Sequence, residues 1–206
     1  MLFFNKFHGS FLDSVFSFLS ATGNGVSIAV FGVLLLVFFK FKYAAKFLMA
    51  FVMQLIVLLL CKNVFFHYSK RPFRYFGNNE GDVVINLIEG VRIYTHNTFP
   101  SGHTSTIFFI VTFLALEINN KVFTWISLTF ALCVGFSRIY LVQHFLTDVY
   151  FGMIFGTTSS MLAYLILNNV DKSWYDKQLI PKLSWNTFLA NFSIKMQELK
   201  AQNGKN

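Results

Sequence analysis

The stretch Val149-Tyr-Phe-Gly-Met-Ile-Phe-Gly-Thr-Thr-Ser-Ser-Met-Leu-Ala-Tyr-Leu-Ile-Leu-Asn-Asn-Val170 contains no charged residue. A helix that crosses the hydrocarbon core of a bilayer needs about 20 mostly apolar residues. This stretch therefore has the length and composition of a membrane-spanning helix. Other uncharged runs cover residues 14–39, 47–61, 104–116 and 122–137. The pattern predicts a chain that crosses a membrane several times.

The composition supports the same fold class. Of the 206 residues, 55% are hydrophobic and 13% are charged, and the mean hydropathy is +0.55. An ordinary soluble domain has about 25% charged residues, so too few charges are present to cover a water-exposed surface. Together with only 12 Gly, 3 Pro and 2 Cys, these figures exclude a disordered chain, a collagen-like repeat and a disulfide scaffold.

We predict an all-α polytopic membrane helix bundle, with about five transmembrane helices and additional interfacial amphipathic helices. The predicted spans are residues 24–40, 44–64, 102–118, 121–138 and 145–168. Five buried helices of a soluble core are the alternative, but almost no polar helical faces are left to meet water. The membrane domain then covers residues 1–170, with an outer loop at 68–98, and a basic cytoplasmic tail covers residues 171–206.

Two further segments have helical periodicity without the length of a span. Apolar residues recur at helical spacing over residues 11–19 and again over residues 184–200, where Lys195 and Lys200 lie nearby. We predict that both are interfacial helices, the first on the outer surface and the second on the cytoplasmic surface. For the second segment, packing against the bundle is an equally open interpretation.

The distribution of lysine and arginine predicts the orientation. Five spans place the two termini on opposite sides of the membrane. One side then holds the lysines at positions 40, 42, 46, 121, 172, 177, 182, 195, 200 and 205. The other side holds Lys6, Lys62, Lys70, Arg71, Arg74, Arg92 and Arg138. The side with more basic residues is predicted to be cytoplasmic.

A polar motif, Phe99-Pro-Ser-Gly-His-Thr104, opens the third predicted span. Proline and serine at a helix start are ordinary N-terminal signals and need no function. Glycine in the first turn, however, allows close backbone approach, and the free N–H groups of a helix N-terminus bind anions. His103 is an ionisable residue at the membrane surface, which makes it a candidate functional residue.

A second polar cluster joins the fourth and fifth predicted spans. Arg138 ends the fourth span, and His144 and Asp148 follow at the start of the fifth. Residues four apart share one face of a helix. The carboxylate can therefore accept from one imidazole nitrogen and leave the other nitrogen free to attack a substrate. A purely structural His–Asp pair would be favoured if this pair stood alone.

The five-span topology brings the polar clusters to the same outer face. The residues concerned are Lys62, Arg71, Ser101, His103, Arg138, His144 and Asp148. Three cations, a helix N-terminus, two histidines and one carboxylate describe an anion-binding site with a nucleophile and an acid. Phosphate is the common substrate group that needs all of these features.

Together these residues resemble the three signature motifs of type 2 phosphatidic acid phosphatases, whose superfamily includes bacterial acid phosphatases and vanadium haloperoxidases. The motifs here are Lys62…Arg71-Pro72, Pro100-Ser101-Gly102-His103 and Ser137-Arg138-x5-His144-x3-Asp148. The resemblance covers roughly residues 60–156. In two respects the chain departs from the family. Eight residues separate Lys62 from Arg71 where the family usually has six, so Lys70 is a rival, and membrane members usually have six spans.

The resemblance implies a metal-independent phosphatase that uses no cofactor. His144 would attack phosphorus to form a phosphohistidine, Asp148 would orient His144, and His103 would protonate the leaving oxygen and then help to activate water. The phosphoryl oxygens would be held by Lys62, Arg71, Ser101, Gly102 and Arg138. The sequence has no HExxH motif and no clustered carboxylates, so no metal site is predicted.

The implied substrate is a phosphomonoester or diphosphate of a lipid. Candidates are undecaprenyl diphosphate, phosphatidylglycerol phosphate, phosphatidic acid and a lipid A phosphate. We expect an integral protein of a bacterial inner membrane, with the active site on the periplasmic face and with the bilayer and a lipid as partners, but no nucleic acid. A lipid-diphosphate-dependent phosphotransferase and a non-catalytic phospholipid-binding protein are the alternatives.

Overall fold

The computed structural model of the protein describes residues 1–77, 85–170, 172–179 and Ile194. Within these residues the chain is helical and has no β-strand. The helices are α1 (Leu2–Asn5), α2 (Ser10–Thr22), α3 (Gly25–Phe38), α4 (Phe41–Leu60) with a π-helical turn (Cys61–Phe65), α5 (Pro72–Gly77), α6 (Gly102–Ile118), α7 (Lys121–Tyr140) and α8 (Leu146–Leu167). The interfacial helix predicted at 184–200 lies outside the described residues.

Each of the five predicted spans corresponds to a helix, but the helices differ in length. Three described segments are long and apolar enough to cross a membrane: α4 with its π-helical turn, α7 and α8. Helix α6 is apolar but has 17 residues, and α3 has 14. Helix α3 ends at Phe38 because the backbone is extended at Phe39, and Lys40 is the N-cap of the next helix, α4.

Helix α2 differs from the predicted surface helix, because one of its sides packs against the bundle. Phe11 and Phe18 are exposed, whereas Phe16 contacts Tyr140 of α7 with 4.4 Å between ring centroids. Helices α2 and α3 meet at an angle of 51° and are apolar enough together to form one broken span. With that pair, four described segments could cross a membrane. The break arises where the Asn24 side chain accepts a hydrogen bond from the Ser27 N–H and starts α3 anew.

Two glycines bring α8 close to α6. A Cβ atom at Gly152 would lie 2.7 Å from the carbonyl oxygen of Ser101, and one at Gly156 would collide with the carbonyl oxygen of Ser105. Glycines four residues apart allow this kind of backbone approach between membrane helices. The Ser160 hydroxyl adds a hydrogen bond of 2.7 Å to the carbonyl oxygen of Phe109. The close contact sets the N-termini of α6 and α8 side by side.

The interior and the outer surface of the bundle are both apolar. One buried cluster joins α3, α4, α6 and α8 through Leu35, Phe47, Ala50, Phe109, Ile110, Phe113 and Ala163. Leu48, Ile126 and Leu165 are at least 60% exposed. Exposed apolar surface on several neighbouring helices would be an aggregation liability in water, and it is the expected surface for contact with lipid.

The two ends of the bundle carry different polar groups. At the end where α6 and α8 finish, the Lys46 ammonium lies 2.8 Å from the Glu117 carboxylate and 3.1 Å from the side-chain oxygen of Asn168. The beginning of the predicted tail docks here, because the Lys42 N–H donates to the carbonyl oxygen of Tyr175 at 3.1 Å. The opposite end, where α6 and α8 begin, carries the candidate site.

Candidate active site

Four elements converge on the candidate site. The π-helical turn after α4 contributes Lys62, the start of α6 contributes His103, the end of α7 contributes Arg138 and the start of α8 contributes Asp148. Loops supply Arg71 and His144. All of these residues lie at one end of the bundle, as the sequence predicts. They come together because the antiparallel succession of α6, α7 and α8 returns the chain to the same end after each pair of helices.

His144 and Asp148 form a buried pair. The Nδ1 atom of His144 lies 3.4 Å from Oδ2 of Asp148, and the two residues are 1% and 2% exposed. The Asp148 carboxylate also accepts from the Phe145 N–H at 2.9 Å, which caps the start of α8. Burial lowers the pKa of His144 well below its ordinary value, and the charges of Arg71 and Arg138 lower it further. The neutral imidazole is therefore the stable form.

Thr98 completes this pair and was not predicted from the sequence. Its hydroxyl donates to Oδ2 of Asp148 at 2.5 Å and lies 3.4 Å from Nδ1 of His144. Thr98 is 5% exposed. It belongs to the loop before α6, 46 residues from His144. No spacing rule connects the two positions, so only the folded chain reveals this contact.

Arg71 lies against the other nitrogen of the His144 ring. The Nη1 atom of Arg71 is 3.3 Å from Nε2 of His144 and 3.1 Å from the carbonyl oxygen of Gln143. Its Nε donates to the carbonyl oxygen of His96 at 2.9 Å, and burial lowers the pKa of the guanidinium. A guanidinium only donates, so Nε2 must present its lone pair, and Nδ1 then carries the proton that points to Asp148.

The structure separates the two rival lysines. Lys62 is half-buried, and its ammonium donates to the carbonyl oxygen of Asn97 at 3.1 Å. It lies close enough to Arg71, Asp148 and Arg138 to interact with their charges. Lys70 is exposed and pairs through its backbone with His96. Of the two, Lys62 is the lysine that the fold brings to the site, and the bulge of the π-helical turn accommodates its unusual spacing.

The start of α6 is built by Ser101 and Thr104. The Ser101 oxygen accepts from the backbone N–H of Thr104 at 3.4 Å and from its hydroxyl at 2.9 Å. These two bonds use the lone pairs of Ser101 and leave its hydrogen to donate. A Cβ atom at Gly102 would meet no protein atom within 4 Å. The first turn of α6 therefore has open space beside free backbone N–H groups.

Arg138 and His103 line one cavity of about 240 Å³. Arg138 is 4% exposed, and one of its Nη atoms donates to the hydroxyl of Ser20 in α2. Its Nε atom is buried without a hydrogen-bond partner in the described part of the chain. A buried donor without a partner is uncommon, and an acceptor bound beside it would satisfy it. Ser20 is a second contact that the motif pattern does not contain.

The charges of the site favour an anion. Lys62 lies among the charges of Arg71, Arg138 and Asp148, and the cations that act on the Asp148 carboxylate are Arg71 and Lys62. Over residues 1–77, 85–170 and 172–179, no three His, Cys, Asp or Glu residues are grouped so that they could hold a metal ion. Fixed cations around a neutral imidazole with a free lone pair can neutralise and orient a phosphoryl group while that imidazole attacks it.

Comparison with known proteins agrees with this geometry. The sequence profile of the PAP2 superfamily matches residues 43–172, which include every candidate site residue. The chain belongs to the PAP2 superfamily. Over 165 residues it is 26% identical to the lipid A 4'-phosphatase of Porphyromonas gingivalis, an alignment that covers 79% of this chain and 69% of the relative.

Two solved structures share the fold of this PAP2 protein. The crystal structure of LpxE from Aquifex aeolicus superposes with a TM-score of 0.66 and 22% identity, over 79% of this chain and 91% of that one. A transmembrane PAP2-type phosphatidylglycerolphosphate phosphatase from Bacillus subtilis superposes with a TM-score of 0.54 and 21% identity, over 84% of this chain and 86% of that one. These likenesses establish the fold, and the chain is an integral-membrane member of a phosphatase superfamily.

Proposed function

We propose that this PAP2 protein is a lipid phosphatase that hydrolyses a phosphomonoester or diphosphate of a membrane lipid through a phosphohistidine at His144. The observation that carries the proposal is the arrangement around that ring. Nδ1 faces the carboxylate of Asp148, and Nε2 presents a lone pair to the guanidinium of Arg71. A nucleophile is thus oriented and lies beside the cation that would bind its target.

The first chemical step follows from these contacts. A bound phosphoryl group takes over the Arg71 guanidinium, which exposes Nε2 of His144 for attack on phosphorus. As the N–P bond forms, the ring becomes positive, and the Asp148 carboxylate stabilises that charge. The bond from phosphorus to the lipid oxygen breaks, and His103 gives a proton to that oxygen. Lys62 and Arg138 hold the negative charge of the phosphoryl oxygens.

The second step returns the protein to its starting state. Neutral His103 takes a proton from a water molecule, whose oxygen attacks phosphorus and breaks the N–P bond. Inorganic phosphate leaves, and His144 regains its lone pair. His103 lies among the charges of Arg138, Arg71 and Lys62, so the positive form needed for the first step depends on the negative charge of the substrate. No metal ion takes part in either step.

The expected setting is the outer leaflet of a bacterial inner membrane, with the site facing the periplasm. The exposed apolar helices support a site near lipid head groups, which a lipid would reach sideways from the bilayer. The substrate panel is undecaprenyl diphosphate, phosphatidylglycerol phosphate, phosphatidic acid and a phosphorylated lipid A. The similarity to a lipid A 4'-phosphatase supports including the last of these.

The test measures phosphate release from this panel by the purified protein in detergent. We expect wild-type protein to release phosphate, His144→Ala to lose at least about a thousandfold in kcat, and His67→Ala, an exposed histidine, to behave like wild type. Vanadate should inhibit and a chelator should not. Equal activity of His144→Ala would contradict the nucleophile, and transfer of labelled phosphate to a second lipid instead of water would indicate a phosphotransferase.

A further inference from the structure

The cavity beside His103 is larger than one phosphoryl group requires. Its volume of about 240 Å³ corresponds to roughly eight water molecules at about 30 Å³ each. A phosphoryl group has four heavy atoms, phosphorus and three oxygens. Of the proposed site residues, His103 and Arg138 line this cavity, so it has room for a second group of the substrate on their side of the site.

The lining of this cavity extends beyond the motif residues. Helix α2 contributes the hydroxyl groups of Ser17 and Ser20, and the outer loop contributes Arg92 and Tyr94. Among the described residues no aspartate or glutamate lines the cavity. Hydroxyl and guanidinium donors without a carboxylate favour an anionic ligand over a neutral or cationic one.

Arg92 is the cation of this extended lining. Its guanidinium lies over the Tyr94 ring at 5.2 Å, and it forms no ion pair within the described part of the chain. The Gln143 side chain donates to its backbone carbonyl at 3.2 Å, which ties the loop to the residue before His144. Stacking on an aromatic ring restricts a guanidinium and leaves its donors open to an oxyanion.

Tyr94 connects Arg92 to the proposed catalytic cation. The Arg71 guanidinium lies over the same ring, at 4.9 Å. One aromatic side chain therefore fixes the spacing between the arginine that touches His144 and the arginine of the outer loop. A ligand with two neighbouring phosphoryl groups matches two guanidinium groups held in this way, because each binds an oxyanion through paired N–H donors.

We infer that Arg92, held by Tyr94, binds a second phosphoryl group of the substrate while the first is hydrolysed at His144. The inference rests on the proposed function and narrows its substrate to lipids that carry two phosphoryl groups. The second group is either attached directly to the first, as in a lipid diphosphate, or separated from it by a glycerol or sugar. The chemistry at Arg92 is the same in both cases.

The experiment compares matched lipids in the full-length protein. Phosphatidylglycerol phosphate differs from phosphatidic acid by an added glycerol phosphate, which supplies its second phosphoryl group. Undecaprenyl phosphate and undecaprenyl diphosphate form the other pair. For at least one pair, Arg92→Gln should lower kcat/KM about tenfold for the two-phosphoryl member. For the one-phosphoryl member the change should stay below about twofold. The affected pair identifies the position of the second group.

Two controls separate this inference from a general defect. Arg92→Lys keeps the charge and should retain part of the preference for two phosphoryl groups. Arg74→Gln removes another outer arginine, which contacts His96 at 3.2 Å and does not line the cavity, and should leave both members of each pair unchanged. Arg92→Gln, Arg92→Lys and Arg74→Gln should all elute from size exclusion like wild type.

The outcomes are distinct. Suppose that the wild-type protein is active and Arg92→Gln is impaired equally on all four lipids, or on none. The second subsite is then wrong, and the proposed function stands. If wild-type protein releases phosphate from no lipid of the panel, both the proposed function and the subsite are overturned.

Discussion

At the scale of single residues, Thr98 orients the carboxylate that orients the proposed nucleophile. Its hydroxyl donates to the same Asp148 oxygen that faces Nδ1 of His144. That oxygen also accepts from the Phe145 N–H, so donors from two distant parts of the chain hold the atom that faces His144. Such convergence restricts a carboxylate to one rotamer and keeps its charge toward the histidine.

Thr98→Val should lower kcat about tenfold and change KM little, because the lost hydrogen bond acts on His144 through Asp148 and not on the bound lipid. Valine has nearly the shape of threonine, so the packing is retained. Thr98→Ser restores the hydroxyl and should recover most of kcat. Steady-state kinetics on the best lipid of the panel provide the measurement. A valine variant as fast as wild type would contradict this role of the hydroxyl, and a serine variant as slow as the valine variant would show that the hydroxyl alone does not sustain kcat.

The lowered pKa of His144 predicts the acid side of the pH profile. Only neutral His144 attacks, and a lowered pKa keeps the ring neutral below its ordinary value of about 6.5. The acid limb of kcat/KM should therefore lie below pH 6.5. Arg71→Gln removes a cation that opposes protonation, so the pKa of His144 should rise and the limb should move to higher pH. An acid limb that moves to lower pH, or that lies at the same pH as in the control variant Arg74→Gln, would contradict this prediction. The ionisation of the substrate affects every pH profile equally, because every variant is assayed on the same lipid.

The candidate residues that the sequence proposed at this end of the bundle lie at helical spacing or at helix ends. His144 and Asp148 are one turn apart, and Ser101 precedes its helix by one residue. Thr98 and Ser20 were missed because their contacts join distant segments. Arg138 and Ser20 are 118 residues apart in sequence. No pattern of hydrophobicity or charge encodes such a pairing before the helices are packed.

At the scale of elements, the bend between α2 and α3 supports the start of α6. A Cβ atom at Gly23 would lie 2.8 Å from the carbonyl oxygen of His103 and 3.1 Å from its Cβ. The sequence predicted a surface helix here because α2 is amphipathic. It did not show that the polar side of α2 faces a cavity instead of water, since serine hydroxyls suit both environments.

Gly23→Ala should displace His103 and so weaken its role as the acid. Activity on a lipid should fall by roughly tenfold to a hundredfold, because shifts below 1 Å matter at a reacting centre. Activity on p-nitrophenyl phosphate should fall much less, since its leaving group needs little protonation.

Gly25→Ala is the matched control, because a Cβ atom at Gly25 would meet no atom within 4 Å. It should leave the ratio of the two activities unchanged. An equal loss on both substrates in Gly23→Ala would indicate a general loss of folded protein, and it would remove the case for positioning by this bend.

At the scale of the whole molecule, the charged side chains of the described helices lie toward the two ends of an apolar bundle. One end holds the candidate site, with cations that have few carboxylates nearby. The other end holds Lys46 and Glu117, a pair of opposite charges whose side chains are 7% and 13% exposed. Charge counting along the sequence predicted which end is cytoplasmic, but treated Lys46 only as a topological signal. Its partner lies 71 residues away on α6, so the pairing appears only in the fold.

Glu117→Gln should therefore destabilise the protein without changing the chemistry at the opposite end. Removing one member of a buried pair leaves the Lys46 ammonium uncompensated, which costs about 3–5 kcal/mol. For a chain of this size that corresponds to a fall of about 10 °C in the temperature at which detergent-solubilised protein is lost. Activity per folded molecule at low temperature should equal that of wild type.

Two further variants test the cause of this instability. Replacing both partners, Lys46→Met with Glu117→Leu, removes the unpaired charge and should recover most of the lost stability. Asp176→Asn breaks the exposed pair with Lys40 at the same end and should change the unfolding temperature little, because exposed pairs contribute weakly. If the double variant is as unstable as Glu117→Gln, the helix contact between α4 and α6, and not the buried charge, determines stability at this end.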